Sequence, residues 1–219
     1  MSPRMICFDW GGVILKHCRS WEEGCAAARL PVRFDPREAT GLARRRELSR
    51  LHQTGRVTHE EYLGLLREST GNTYTLDELE RVHAAWLLDE YPGVAEVIAR
   101  LVSTAGIETG LLSNTNHAHW VTHLPAASAP PKYPTASLLK HRHASHLMGM
   151  MKPDEDIYRE FERLTGARGG EILFFDDLED NVRTAQSIGW NAVRVDHTGD
   201  TAAQITSALI GHRVWPGPA

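Results

Sequence analysis

The chain has 219 residues, 42% of them hydrophobic and 24% charged, with a formal net charge of -4 and a pI near 6.3. That is enough apolar material for one large globular domain, or for a core domain carrying a smaller one. The weakly acidic balance leaves no electrostatic footprint for nucleic acid or an anionic membrane surface, and no apolar stretch reaches membrane-spanning length.

In chain order, Met1-Ser2-Pro3-Arg4-Met5 lacks the charged, apolar and cleavage regions of a targeting signal, so a cytoplasmic location is expected. Ile6-Cys7-Phe8-Asp9-Trp10-Gly11-Gly12-Val13 follows. It reads as a buried strand delivering a carboxylate, Asp9, to its exposed end, with two glycines that let backbone approach a ligand. Cys7, Cys18 and Cys25 are odd in number, lack a CxxC spacing and fit reduced thiols. Residues 20–90 then carry helix signals and almost no strand. Asp35-Pro36-Arg37-Glu38 offers an N-cap acceptor, a proline in the first turn and a glutamate three residues on. Thr58-His59-Glu60-Glu61 and Thr75-Leu76-Asp77-Glu78 repeat the capping-box spacing. Leu76, Leu79, Val82 and Trp86 form an apolar stripe expected in a core. Arg44-Arg45-Arg46 is expected on a solvated helix face.

From Tyr91-Pro92-Gly93 onward helices and strands alternate. An amphipathic segment near 93–105 precedes a strand, Ile107 to Asn114, that ends in small polar residues. The proline-rich stretch 124–136 reads as a surface excursion. Pro153 opens a helix with Ile157, Phe161 and Leu164 on one face. Ile172-Leu173-Phe174-Phe175-Asp176-Asp177 is a second strand ending in acid. A helix near 179–188, a strand through Ala192, Val193 and Val195, and a helix with Ile205 and Leu209 complete the chain. The twelve histidines are scattered without ligand spacing and are expected mostly at the surface. This alternation predicts a parallel sheet covered on both faces, with ligands bound beyond the carboxyl ends of its strands. Asp9, Ser113 and Asp177 all fall at such ends, which places them at one site.

Four segments in order carry a family resemblance: Phe8-Asp9-Trp10-Gly11-Gly12-Val13; Leu112-Ser113-Asn114-Thr115-Asn116; Lys152-Pro153-Asp154; and Phe174-Phe175-Asp176-Asp177-Leu178-Glu179-Asp180-Asn181-Val182. Over residues 5–197 the chain resembles the haloacid dehalogenase-like hydrolase superfamily, as a phosphatase-like member of the helical-cap subfamily IA. The resemblance implies a Rossmann-like α/β fold, a parallel sheet with helices on both faces, plus an inserted all-helical cap. It places the core in 1–17 and 91–219 and the cap in 18–90.

Most of the superfamily are magnesium-dependent phosphatases. The resemblance therefore implies that Asp9 attacks the phosphoryl group of a small phosphorylated metabolite, a sugar phosphate among the candidates, to form an aspartyl-phosphate. Asp9, Asp177 and the Gly11 carbonyl would hold Mg2+. Ser113 and the backbone N–H of Asn114 would bind phosphate oxygens, and Lys152 would neutralise the charge shared by nucleophile and phosphoryl group. Asp176 would stand behind the ligands, orienting Lys152 or a metal-bound water, and Asn181 would hold such a water. Electrostatics supports the cation independently: two carboxylates about 4 Å apart repel by roughly 4 kcal/mol at an effective dielectric of 20. Asp9, Asp176 and Asp177 stay ionised together only if Lys152 and a divalent ion offset them.

Gly11 departs from the pattern, because many relatives place there an aspartate that protonates the leaving group, a contribution of about 10²–10⁴-fold. His17 is one candidate to donate that proton; a surface histidine is the plainer reading. Two other classes stay open. Haloacid dehalogenases use the same nucleophile without metal but carry Ser-Ser-Asn where this chain has Asp176-Asp177, and a non-catalytic binding relative would retain the fold alone. Trp21, His52 and Tyr62 are candidate specificity residues of the cap. The chain is expected to be a monomer or homodimer, with Trp120 and the proline-rich loop either a dimer surface or buried.

Overall fold

A computed structural model describes residues 2–124 and 130–217. The elements run β1 (Met5–Phe8), β2 (Leu15–His17), α1 (Trp21–Ala27), α2 (Ala39–Gln53), α3 (His59–Ser69), α4 (Leu76–Ala84), β3 (Leu87–Glu90), α5 (Val94–Val102) and β4 (Glu108–Ser113). They continue with α6 (His117–Trp120), β5 (His141–Ala144), α7 (Ser145–Met148), α8 (Glu155–Thr165), β6 (Ile172–Asp176), α9 (Glu179–Ser187), β7 (Asn191–Arg194) and α10 (Thr201–Gly211). Five strands form one parallel sheet in the order β5-β4-β1-β6-β7.

β1 lies at the centre of the sheet, and its four residues are all buried. Successive side chains point to opposite faces. Ile6 and Phe8 pack with Leu111, Leu173 and Phe175 against Ile98, Leu101, Ile205 and Leu209, on the face covered by α5 and α10. Met5 and Cys7 pack with Leu112, Ile172 and Phe174 against Ile157, Tyr158, Phe161 and Ala185, on the face covered by α8 and α9. A strand covered on both faces needs apolar residues at every position, which is why Met5-Ile6-Cys7-Phe8 does not alternate. Phe8 stands opposite both Leu111 and Phe175 in register, so β1, β4 and β6 deliver their carboxyl ends side by side.

Helices α1–α4 gather around a separate apolar cluster of Cys25, Leu63, Leu66, Tyr74, Leu79 and Val82. They leave and rejoin the sheet through an antiparallel ribbon of β2 and β3. Thr58 and Thr75 each cap a helix with the full reciprocal capping box. The helix expected to be capped by Asp35 is capped three residues later by Glu38, whose longer side chain accepts from Thr40 N at 2.9 Å and Gly41 N at 2.6 Å, while Asp35 only closes a turn onto Arg37 N. Helix α1 adds a start beyond the three expected, capped by Ser20, whose side chain accepts from Glu23 N. Residues 87–90, read as part of a helical stretch, are the strand β3.

Periodicity overreached at helix ends: Leu76 and Leu164 are 44% and 42% exposed, while Tyr158 takes the buried place on α8. Pro153 precedes the Asp154 N-cap of α8 rather than opening the helix. The expectation of surface histidines also fails. His52, His83, His119 and His123 are buried, and of the twelve only His117 is exposed. Part of the proline-rich stretch, 125–129, lies outside the described residues. Its later part is no simple excursion, since Tyr133, Thr135 and Ala136 are buried and the Tyr133 hydroxyl donates to Leu87 O at 2.8 Å. Trp120, weighed as a dimer surface, is buried edge-on against Trp10. Among the described residues no helix is long and apolar enough to cross a membrane.

Candidate active site

Asp9 follows β1 directly, and its N–H extends the ladder by donating to Phe175 O at 2.8 Å. Trp10, buried among Trp120, His123 and Tyr133, anchors the turn that follows. Its carbonyl accepts from Ile14 N and Leu15 N, and Gly12 N donates to Leu15 O at 2.7 Å, which reverses the chain into β2. Gly12 has φ +84°, and a Cβ there would come 2.4 Å from Asp177 Cγ. Only glycine satisfies both conditions.

Lys152 is buried between two carboxylates, with Nζ 3.0 Å from Asp9 Oδ1 and 2.7 Å from Asp176 Oδ2. Asp176, itself inaccessible, also accepts from Leu178 N at 2.9 Å and from Asn181 Nδ2 at 3.0 Å on each oxygen. Asn181 therefore fixes Asp176, where a bound water was its expected partner. Asn114 uses its side chain to clamp the Lys152 backbone, accepting from Lys152 N at 2.9 Å and donating to Lys152 O at 2.8 Å. This bond pair ties the loop after β4 to the lysine, a function of Asn114 beyond the backbone one expected. Ser113 is buried beside it.

One oxygen from each of Asp9, Asp176 and Asp177 lies within 4.8 Å of the others. Burial, with the carboxylates of Asp176 and Asp177 adding to it against the opposing pull of Lys152, raises the Asp9 pKa to about 7. Burial alone would lower the Lys152 pKa, but Asp176 and Asp9 outweigh it and hold the ammonium protonated. A residue missed in the sequence completes the ring: Arg19 Nη1 pairs with Asp177 Oδ2 at 2.6 Å. The two are 158 positions apart, and no local pattern marks the pair.

His17 stands over Gly11, where an added Cβ would meet its Cδ2 at 2.7 Å and its Nε2 at 3.1 Å. The imidazole thus fills the space of a side chain at position 11. Burial and nearby Arg19 lower its pKa. Its Nδ1 lies 2.9 Å from Cys18 O; a carbonyl only accepts, so Nδ1 carries the proton of the neutral ring and Nε2 keeps its lone pair. A cavity of about 910 Å³ opens over these groups, lined by Asp9, Gly11, Ser113, Asn114, Lys152 and Asp177 below and by cap side chains, Trp21, His52 and Tyr62 among them, above.

A parallel α/β sheet with a nucleophile-capable carboxylate, a buried lysine and further acids at its strand ends defines a hydrolytic enzyme of the capped α/β class. The sequence model of the haloacid dehalogenase-like hydrolases matches residues 3–189, and the chain belongs to that family. It is 25% identical to Phosphatase MT3486 of Mycobacterium tuberculosis (strain CDC 1551 / Oshkosh), over 92% of this chain and 91% of the relative. A predicted HAD-like family hydrolase from Porphyromonas gingivalis superposes with TM-score 0.73 at 28% identity, covering 95% and 98% of the two chains. The HAD family enzyme bt-2542 from Bacteroides thetaiotaomicron does so with TM-score 0.76 at 21% identity, covering 94% and 99%, and has been solved with magnesium and with magnesium and inorganic phosphate. Dehalogenases share the fold at TM-scores of 0.58 to 0.61.

Proposed function

We infer that the chain is a magnesium-dependent phosphate monoester hydrolase acting on a small phosphorylated metabolite, with residues 1–17 and 91–219 as catalytic core and 18–90 as cap. The observation that carries this reading is the buried set Asp9, Lys152, Asp176 and Asp177: three carboxylates against the Lys152 ammonium and the Arg19 guanidinium leave one negative charge in excess on an all-oxygen donor set. Hard divalent cations suit such a set. Asp9, Asp177 and the Gly11 carbonyl would hold Mg2+, which would screen the phosphoryl charge and leave Asp9 ionised. The magnesium and phosphate complexes of the bt-2542 enzyme support the same chemistry here.

An Asp9 carboxylate oxygen attacks phosphorus, and the P–O ester bond breaks with its electron pair on the leaving oxygen. Ser113 and Asn114 hold phosphoryl oxygens, and Lys152 keeps Asp9 aimed while balancing charge. Water then attacks the phosphorus of the aspartyl-phosphate, releasing inorganic phosphate and free Asp9. With Nε2 unprotonated over Gly11, His17 suits the acceptance of that water's proton rather than the donation first considered for it. Leaving oxygens then take their proton from solvent, which favours substrates with stable leaving groups. His17→Gln is expected to slow phosphoenzyme hydrolysis by about 10²–10⁴-fold, so that labelled protein accumulates in acid-quenched turnover while burst formation stays near wild type. A steady state with unchanged rate and no accumulation would remove His17 from the mechanism.

The overall reading is tested by assaying phosphorylated metabolites and a 2-haloacid, each with magnesium and with chelator, alongside Asp9→Asn. Magnesium-dependent phosphate release that disappears in the variant is expected. Halide release in chelator would instead select the dehalogenase chemistry.

A further inference from the structure

Three cap helices each bring one imidazole to a single point: His52 from α2, His59 from the first turn of α3 and His83 from α4. One ring nitrogen of each lies within 4.8 Å of the others. His59 Nδ1 is 3.4 Å from His52 Nε2, long for a hydrogen bond between ring nitrogens. Nitrogens bound at about 2.0–2.1 Å to a tetrahedral zinc lie roughly 3.3–3.4 Å apart, so this spacing matches one edge of such a site.

The rings are also fixed and protonated as ligands need. His59 Nε2 lies 2.6 Å from Glu80 Oε2; the carboxylate accepts, so Nε2 carries the proton and Nδ1 presents its lone pair to His52. A carboxylate behind a metal-bound histidine holds the ring orientation and raises its basicity. His83 is 8% exposed, and its Nε2 is buried without a hydrogen-bond partner among the described residues. Its ring stacks on His119 at 3.9 Å, and the His119 Nε2–H donates to His83 O at 2.8 Å. Tyr62 stacks on His52 at 4.2 Å.

The geometry points to a zinc site in the cap formed by His52, His59 and His83, supported by Glu80 and distinct from the carboxylate site. Three imidazole nitrogen donors select zinc over magnesium, whose preference is for oxygen. His52 and His83 line the cavity that also contains Asp9, so a fourth ligand reaches the ion from the substrate side. This inference stands independently of the phosphatase reading.

Co2+ serves as a spectroscopic substitute for zinc. Chelator-stripped protein in saturating magnesium is titrated with Co2+ and then with Zn2+, and the visible absorption is recorded. One equivalent of Co2+ is expected to give the intense band of a tetrahedral, nitrogen-rich site, bleached by one equivalent of Zn2+. The band should persist in Asp9→Asn, vanish in His59→Ala and weaken in Glu80→Gln with an affinity about 10–100-fold lower. His59 is only half-buried, and circular dichroism on each variant confirms that the cap remains folded. Absence of the band in wild type, its persistence in His59→Ala, or its loss in Asp9→Asn would each overturn the site.

Discussion

Lys152→Met is expected to abolish phosphate release and to lower the stability of the metal-free protein by about 3–5 kcal/mol, the usual cost of removing one partner from a buried charge group. The ammonium lies between Asp9 and Asp176, whose side chains are almost inaccessible, at 3.0 and 2.7 Å. Asp176 retains Asn181 and Leu178 N as donors, whereas among the described residues Asp9 keeps only Trp10 N as a donor to its carboxylate. The Asp9 pKa, already raised to about 7 by burial, therefore moves further up, and the carboxylate proposed to attack phosphorus is protonated. Adding Asp176→Asn should recover part of the stability without restoring activity, because it removes a charge the methionine cannot balance. Urea midpoints and phosphate release measured on wild type, single and double variants check this. A single variant as stable as wild type would mean that the lysine contributes no net charge compensation.

The second large effect is a loss of stability in mild acid. Burial lowers the pKa of His52 to about 3 and of His119 and His123 to about 4, against 6.5 for an unperturbed ring. Below pH 6.5 the unfolded chain binds protons that these folded rings refuse, so stability is full above that pH. It falls as pH drops, and the loss stops growing only below the folded values. At pH 5 each ring costs about 2 kcal/mol. Asp9 works in the opposite sense in the metal-free protein, since its raised pKa makes the folded state the better proton acceptor between its ordinary value and about 7. These three rings against Asp9 give a loss of about 3–4 kcal/mol at pH 5, and His83, also held well below its ordinary value by burial, adds to it; that is a large share of the roughly 5–15 kcal/mol that holds a domain together. His123 packs against Trp10 and Trp120, so His123→Phe keeps an aromatic ring there while removing the titration. This variant should recover about 2 kcal/mol at pH 5 and little at pH 7.5. Equal urea midpoints for wild type at the two pH values would refute the account.

Much of this protein was legible because its signals are local. Asp9, Ser113 and Asp176-Asp177 each end an apolar run, and a strand covered on both faces writes such a run into adjacent residues. The capping boxes at Thr58 and Thr75 are equally local, since donor and acceptor sit three residues apart. Glu38 displaced Asp35 as a cap because reach along a side chain, invisible to a spacing rule, decided which acceptor met the free N–H groups.

The sequence by itself determined the α/β alternation, the acids at the strand ends and the helical character of the inserted segment, all properties of neighbours along the chain. Tertiary structure alone decided that Arg19 meets Asp177, that His17 fills the space over Gly11, and that His52, His59 and His83 share one point in the cap. These groups converge because separate elements pack against each other. Packing selects on shape and burial in three dimensions, and it leaves no fixed interval in sequence from which such pairings could be read.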